Sequence, residues 1–174
     1  MSVKLKPDDA LPSVGLRATD GYLLNLRTWV TKQPAVLLFF PMSGPSRRKG
    51  VKAVEALTAG FDRLREAGIA VAAISCDSEE QQKEFAAKHS IPFLLMSDER
   101  RSAVEMLGIE TVAEGETFNI SAPIALAADR DGIIRAVIER VEPDALVDQV
   151  MRALSEPIPA APAAPAAEDA ATPN

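Results

Sequence analysis

Two continuous apolar runs in the first half of the chain restrict its fold more than any other feature. The runs are "AVLLFF" (35–40) and "IAVAAISC" (69–76), and each is typical of a strand buried on both faces. Between them, from Pro45 onward, apolar residues recur at helical spacing until Gly68 ends the pattern. A strand, a helix and a second strand in this order form a right-handed crossover between parallel strands. The sequence therefore predicts a βαβ unit at the centre of a sheet.

Shorter strand patterns lie on either side of this unit. Residues 13–29 predict two short strands joined at Asp20-Gly21, and residues 123–141 predict two more joined at Asp131-Gly132. The segment "IPFLLMSD" (91–98) is expected to be extended, because its apolar residues follow one another as in a buried strand. The early strands pair locally and the late pair adds an antiparallel edge, so the predicted sheet is mixed.

Three further helical patterns complete the chain. The first has Ser78 or Asp77 as its N-cap, and Gly108 stops the second. Residues 109–122 between the second and third show weak patterning and are predicted to be a loop. The patterns cover residues 78–90, 99–107 and 143–154. The expected fold class is α/β, with a mixed central sheet, helices on both faces and an N-terminal β-hairpin.

Length and composition favour one globular domain in a soluble protein. The 174 residues suit a domain spanning 1–156, followed by a Pro- and Ala-rich tail at 157–174 that we expect to be disordered. A net charge of −6 argues against nucleic acid and anionic membranes as main partners. The first residues lack the apolar region of a signal peptide and no run reaches membrane-spanning length, so a cytoplasmic location is expected.

The chain has one cysteine, Cys76, and one histidine, His89. A single cysteine excludes an intramolecular disulfide and a Cys-rich metal site, and a single histidine leaves only carboxylates to complete a zinc or iron site. We therefore expect neither a metal nor another cofactor. His89 is interpreted as a surface or capping residue, and a serine-hydrolase arrangement around it is disfavoured.

The order of these segments resembles the thioredoxin-fold proteins, and most closely the alkyl hydroperoxide reductase / thiol-specific antioxidant (peroxiredoxin-like) family. The resemblance covers roughly residues 8–156. Its first part is the N-terminal hairpin with the central strand, and its second is a strand, a helix and an "SD" turn before a short helix. Its third is a Pro-led strand with a "DRDG" hairpin. The three parts are residues 11–41, 67–109 and 122–141. The resemblance implies a thioredoxin-like fold.

The resemblance also implies a site. Ser43-Gly44-Pro45-Ser46 stands where the family carries a CGPC-type redox motif, so Ser43 and Ser46 occupy the redox-cysteine positions. Pro123 stands where the fold usually places a cis-proline facing that motif, which would leave the backbone of Ala122 free to bind an extended peptide. One departure is that Ser46 follows Pro41 by five residues, whereas standard peroxiredoxins place the peroxidatic cysteine seven residues after that proline. This spacing weakens the prediction of a peroxide-specific pocket.

The chemistry of such a motif depends on sulfur. A cysteine at a helix N-terminus is favoured as thiolate by the helix dipole and by nearby cations, which here would be Arg47, Arg48 and Lys49. A serine hydroxyl does not ionise near neutrality and forms no disulfide. The basic segment is thus interpreted either as a solvated patch or as a device that tunes an anion or thiolate at position 43 or 46.

Three hypotheses follow. The first is a thiol-disulfide or peroxide oxidoreductase scaffold that is inactive as written because both cysteines are serine, including the case of an engineered Cys-to-Ser variant. The second is a natural non-catalytic protein that holds a peptide or an anion at the groove of Ser43–Ser46, Arg47, Ala122 and Pro123. The third is a one-cysteine peroxidase that uses Cys76 with an external thiol. The family implies a thioredoxin-type reductant, or a peptide or protein partner, for these activities.

Overall fold

A computed structural model describes residues 4–115 and 117–155 of the chain. The predicted disordered tail at 157–174 lies outside these residues, and so does the domain boundary at 156. Within the described ranges, no helix is long and apolar enough to cross a membrane.

Seven of the nine described strands form one mixed sheet in the order β2-β1-β5-β4-β3-β8-β9, and β6 and β7 form a separate hairpin. The parallel neighbours are β3 with β4 and β4 with β5, and the remaining pairs are antiparallel. The predicted mixed sheet with an N-terminal hairpin is confirmed. The strands are β1 Gly15–Ala18, β2 Leu23–Asn25, β3 Ala35–Phe39, β4 Ala70–Ser75, β5 Leu94–Ser97, β6 Thr111–Glu114, β7 Thr117–Ile120, β8 Ile124–Ala128 and β9 Ile134–Ile138.

Helices cover both faces of the sheet, as predicted. Side chains alternate along β3, so Leu37 and Phe39 join one buried cluster while Val36 and Leu38 join the other. The first cluster receives residues from α1 and α5, and the second receives residues from α2, α3, α4 and α6. The helices are α1 Leu26–Val30, α2 Arg47–Ala59, α3 Phe61–Glu66, α4 Glu79–His89, α5 Ser102–Leu107 and α6 Pro143–Ser155.

The structure corrects three local predictions. The single helix expected before Gly68 is divided at Gly60, where an added Cβ would lie 2.5 Å from a methyl of Val147, so α6 packs directly against the break. The second early strand ends at Asn25. The Asn25 side chain accepts hydrogen bonds from the backbone amides of Arg27 and Thr28, so the chain continues as helix α1 and not as a strand. The loop expected at 109–122 contains the β6–β7 hairpin, which turns at Gly115 with φ 62°.

Candidate functional site

The turn after β3 places the two motif serines in different surroundings. Ser43 is partly buried, and Gly44 next to it adopts a positive φ of 84° that only glycine takes without strain. Ser46 is the N-cap of α2, and its side chain makes no capping hydrogen bond. Helix α2 lies so close to the end of β3 that a Cβ on Gly50 would collide with the carbonyl oxygen of Pro41. The turn therefore has little freedom to move relative to the sheet.

Ser43 belongs to a polar network with Asp77 and Asn119. The Ser43 hydroxyl donates to Asp77 Oδ1 over 3.2 Å, and Asn119 Nδ2 donates to Asp77 Oδ2 over 2.7 Å. The same amide nitrogen also lies 3.2 Å from Ser43 Oγ. Asp77 and Asn119 are 7% and 1% exposed, so this carboxylate is satisfied by neutral donors in an enclosed place. Serine, aspartate and asparagine thus hold one another across three segments of the chain.

Asn119 also ties the β6–β7 hairpin to the end of β4. Its Oδ1 accepts from the backbone N–H of Ile120 over 2.9 Å and from that of Cys76 over 3.4 Å. Sequence reasoning missed this residue because it lies in the segment predicted to be a loop. Asp77 was predicted as a possible helix cap, but Ser78 caps α4 through a capping box with Gln81, so the Asp77 carboxylate faces Ser43 instead.

Cys76 lies beside this network but in a setting that opposes a thiolate. It is 8% exposed, and burial, followed by the Asp98 and Asp77 carboxylates, raises the pKa of its thiol to about 12. Arg101 acts in the opposite direction with a smaller effect. Burial also raises the pKa of Asp98, whose carboxylate accepts from the first amides of α5, as expected of a helix cap.

A cavity of about 350 Å³, which we call the polar pocket, opens next to the network. It brings Ser43 and Cys76 to one wall, because Cys76 directly follows β4 and the carboxyl ends of strands border such cavities. Neither Ser46 nor Pro123 contributes to its wall. The pocket is lined by Ser43, Cys76, Asp77, Ser78, Gln81, Glu99, Arg101 and Phe118.

The start of α2 is the second part of the predicted site. Arg47, Arg48 and Lys49 are all exposed, and the first turn of the helix holds no acidic residue. Their exposure is compatible both with a solvated patch and with a role in tuning an anion at position 43 or 46. Three successive cations at the positive end of a helix dipole repel one another and raise the local potential.

Pro123 is not the cis-proline that the resemblance implied. Every peptide bond in the described residues is trans. Pro123 directly precedes β8, whose first residue, Ile124, pairs with Phe39. The peptide bond before Pro123 is therefore in the ordinary trans form, which is favoured by about 0.5–1 kcal/mol and continues directly into the strand. Ala122 and Pro123 line a different cavity of about 560 Å³, which we call the basic cleft; its other residues are Lys49, Lys52, Glu139, Arg140, Val141, Glu142 and Pro143.

His89 stands away from the motif, at the end of α4. Its ring packs against Phe85 with centroids 4.3 Å apart, and its Nδ1 lies 4.0 Å from a carboxylate oxygen of Glu55. In the described part of the chain no three potential metal-ligating side chains cluster together.

Comparison with known proteins places this architecture in a family. Residues 7–137 match the AhpC/TSA family. Peroxiredoxin Bcp of Escherichia coli K12 is 30% identical over 154 residues, covering 87% of this chain and 97% of that protein. The chloroplastic peroxiredoxin Q of Populus jackii is 26% identical, covering 87% of this chain and 68% of that protein.

Solved structures agree on the fold. Peroxidoxin BcpB of Mycobacterium tuberculosis superimposes with a TM-score of 0.74 at 19% identity, covering 86% of this chain and 96% of its own. A cysteine-to-serine mutant of PrxQ from Xylella fastidiosa gives 0.72 at 17% identity, with 87% and 96% covered. The sheet order, the flanking helices and the match over most of the described residues lead to one conclusion: the chain belongs to the AhpC/TSA family and has the thioredoxin-like fold of the peroxiredoxins.

Proposed function

We propose that this chain is a peroxiredoxin-like oxidoreductase scaffold that, with the printed sequence, turns over neither peroxides nor disulfides. One observation carries the proposal: the turn before α2 carries hydroxyl groups at Ser43 and Ser46, and the sole thiol, at the end of β4, is buried with a pKa raised to about 12. Peroxide reduction and disulfide exchange both require a thiolate that attacks and is then regenerated.

The serines themselves supply no substitute chemistry. The Ser43 hydroxyl donates to Asp77, and that carboxylate also accepts from Asn119, so it is held in a structural network. Among the described residues, no base accepts a hydrogen bond from the Ser46 hydroxyl. His89, the sole histidine, lies on α4, away from the motif, and its ring packs against Phe85 of the same helix. A nucleophilic serine needs an adjacent and correctly oriented base, and this arrangement offers none that is free.

A one-cysteine peroxidase through Cys76 is the weakest alternative. At neutral pH a thiol with a pKa of about 12 is only about one part in 10⁵ thiolate. Its 8% exposure further restricts the approach of peroxide and of an external reducing thiol. We therefore assign Cys76 a packing role at the end of β4.

Two histories lead to the same chemistry. In one, an active parent carried cysteines at both positions and was engineered; in the other, the serines are native. Solved structures of cysteine-to-serine mutants of Xylella fastidiosa PrxQ and Xanthomonas campestris peroxiredoxin Q share this fold, so such a scaffold tolerates serine substitution. Sequencing the native gene at codons 43 and 46 distinguishes the two histories.

The experiment that tests the scaffold is restoration of the thiols. Hydrogen peroxide consumption and insulin-disulfide reduction are measured for the chain as printed and for Ser43→Cys/Ser46→Cys, with thioredoxin and its reductase as the electron source. We expect no turnover by the printed chain and turnover by the double variant. Turnover by the printed chain that disappears in Cys76→Ser would refute our assignment. An inert, folded double variant would refute the oxidoreductase scaffold.

A thioredoxin-type reductant and a cytoplasmic location complete the proposal. The family relationship supports the reductant, since peroxiredoxins generally receive electrons from thioredoxin-type proteins. A single free thiol and an acidic net charge of −6 are compatible with a reducing, soluble compartment. The reductant is tested by asking whether a single-cysteine thioredoxin forms a mixed disulfide with the Ser43→Cys/Ser46→Cys variant. The location is tested by cell fractionation.

The second candidate function is non-catalytic binding in the basic cleft. Lys49, Lys52 and Arg140 line this cleft, and none of them forms an ion pair in the described residues, although Glu139 and Glu142 lie on the same wall. Unpaired cations next to the Ala122–Pro123 backbone suit an acidic extended peptide. Titration with an acidic peptide should shift the amide signals of these residues. A Lys52→Gln change should weaken the shifts, and Lys83→Gln on α4 should not.

A further inference from the structure

The polar pocket carries charges of both signs, contributed by separate segments of the chain. Asp77 follows β4, whereas Glu99 and Arg101 lie between β5 and α5. We propose that this pocket binds a small zwitterion, namely a free α-amino acid or a dipeptide with an unblocked carboxylate and an unblocked ammonium group. The inference assigns a ligand to the region beside Ser43, where the family resemblance places a redox cysteine.

Arg101 is the group that would receive the carboxylate. Its backbone has a φ of 63°, a conformation that is uncommon for a residue with a side chain. Its guanidinium carbon lies 3.5 Å from the centroid of the Phe118 ring, so the planar head is stacked and oriented. No described acidic residue forms an ion pair with it. A stacked guanidinium with unused N–H donors is arranged for two parallel hydrogen bonds to one carboxylate.

Asp77 and Glu99 are the groups that would receive the ammonium. Asp77 is enclosed and accepts only from the neutral donors Ser43 and Asn119, so its negative charge has no paired cation in the described residues. Glu99 is exposed at the rim and likewise forms no ion pair there. Each carboxylate oxygen has more than one acceptor site, so an ammonium group can add its N–H donors to those already present.

The balance of charge and the volume restrict the class of ligand. Two carboxylates repel a phosphate or a dicarboxylate, and the arginine repels a polyamine, whereas a zwitterion satisfies both signs at once. Gln81 adds neutral donors, because its Oε1 already accepts from Ser78 N over 2.9 Å while its amide N–H groups remain available. A cavity of about 350 Å³ lies at the small end of ligand sites, which suits one or two amino-acid residues.

The first test compares the binding of L-alanine to the full chain with the binding of two analogues, each of which lacks one of its charged groups. Calorimetry and amide NMR shifts are recorded with L-alanine, with propionate, which lacks the ammonium, and with ethylamine, which lacks the carboxylate. We expect L-alanine to bind at least about tenfold more tightly than either analogue, with shifts at Cys76–Ser78 and at Arg101. Equal binding of L-alanine and propionate, or no shift at about 10 mM, would overturn the proposal. The inference rests on the proposed non-redox role, but its readout involves no thiol, so its failure leaves the peroxide result unaffected.

The second test uses a matched pair of neighbouring arginines. Arg101→Lys keeps the charge and loses the planar fork, so L-alanine binding should weaken by about tenfold or more. Arg100→Lys changes an exposed arginine that lines a different cavity, and binding should change less than about twofold. Glu99→Gln should also weaken L-alanine binding while leaving propionate binding unchanged or stronger. Equal affinities of the two arginine variants would contradict the proposed carboxylate site.

Discussion

Ser43 and Ser46 are three residues apart and look equivalent in sequence, but the structure gives them opposite surroundings. Ser43 is partly buried and bonded to the Asp77 carboxylate and the Asn119 amide. Ser46 stands at the start of α2, ahead of three exposed cations and with no capping hydrogen bond of its own. Both serines are partly buried, but Ser43 is hydrogen-bonded to a carboxylate, whereas Ser46 begins a helix whose first turn carries three cations.

This difference teaches which position could support a thiolate. A carboxylate 3.2 Å from the side-chain oxygen of residue 43 disfavours a second negative charge there. A helix N-terminus with adjacent cations favours one at residue 46. Gly44-Pro45 therefore separates two regions: the polar network around Ser43, and the start of α2 at Ser46, where a thiolate would be stabilised. The predictions below test that separation, beginning with the largest effect.

The largest contrast is between Cys76 in the polar pocket and a cysteine at position 46. Because the Cys76 pKa is raised to about 12, its alkylation rate should rise about tenfold per pH unit from pH 7 without levelling off below about pH 11. The thiol of Ser46→Cys/Cys76→Ser should level off at or below about pH 8.5 and react at least about 10³-fold faster at pH 7. Iodoacetamide kinetics with circular dichroism at each pH measure both. A plateau for Cys76 near pH 8.5 would remove the contrast.

The next contrast compares the two motif positions directly. In a Cys76→Ser background, a Ser43→Cys thiol should have a pKa above the ordinary 8.5 and a Ser46→Cys thiol a pKa below it. At pH 7 the second should alkylate at least about tenfold faster, since the thiolate fraction decides the rate. Ultraviolet thiolate absorbance against pH gives both pKa values. If the order of the two pKa values is reversed, the Asp77 carboxylate does not raise the pKa of a thiol at position 43, contrary to what the geometry indicates.

A smaller effect is expected from loosening the network on the Ser43 side. Asn119→Ala removes the donor to Asp77 and Ser43, and it leaves a buried carboxylate with one partner fewer. Loss of such a partner should lower the free energy of unfolding by about 1–3 kcal/mol. Urea denaturation measures it, and Glu80→Ala on the exposed side of α4 is the control, with a change within about 0.5 kcal/mol. A destabilisation equal to that of the control would show that Asn119 does not hold the site together.

The fold could be predicted because its signals are local. The apolar run at 35–40 and the capping pattern that begins at Ser78 each fix one element within a few residues, and both are confirmed in the structure. Gly108 also ends α5 as expected, with a left-handed φ of 71°.

The site could be predicted only in part, because its contacts join distant segments. Ser43 and Asn119 are 76 residues apart, and Asn119 lies on a four-residue strand that is too short to show periodicity. Pro123 shows the opposite error: the resemblance implied a cis bond, while the pairing of β8 with β3 accommodates a trans one. Residue type alone also did not reveal that Arg101 stacks on Phe118 at the polar pocket.

The smallest predicted effect isolates the cations on the Ser46 side. In the Ser46→Cys/Cys76→Ser background, changing Arg47, Arg48 and Lys49 to glutamine one at a time should raise the thiol pKa. Charge interactions at an exposed helix terminus contribute about 0.3–1 kcal/mol each, which corresponds to less than about one pKa unit. Added salt should reduce the difference, because exposed charges are screened over about 10 Å at 0.1 M ionic strength. The same changes beside Ser43→Cys should have a smaller effect, since that thiol faces Asp77. Equal shifts at both positions would mean that the cations act on the whole turn alike, and the electrostatic contrast between the two serines would be wrong.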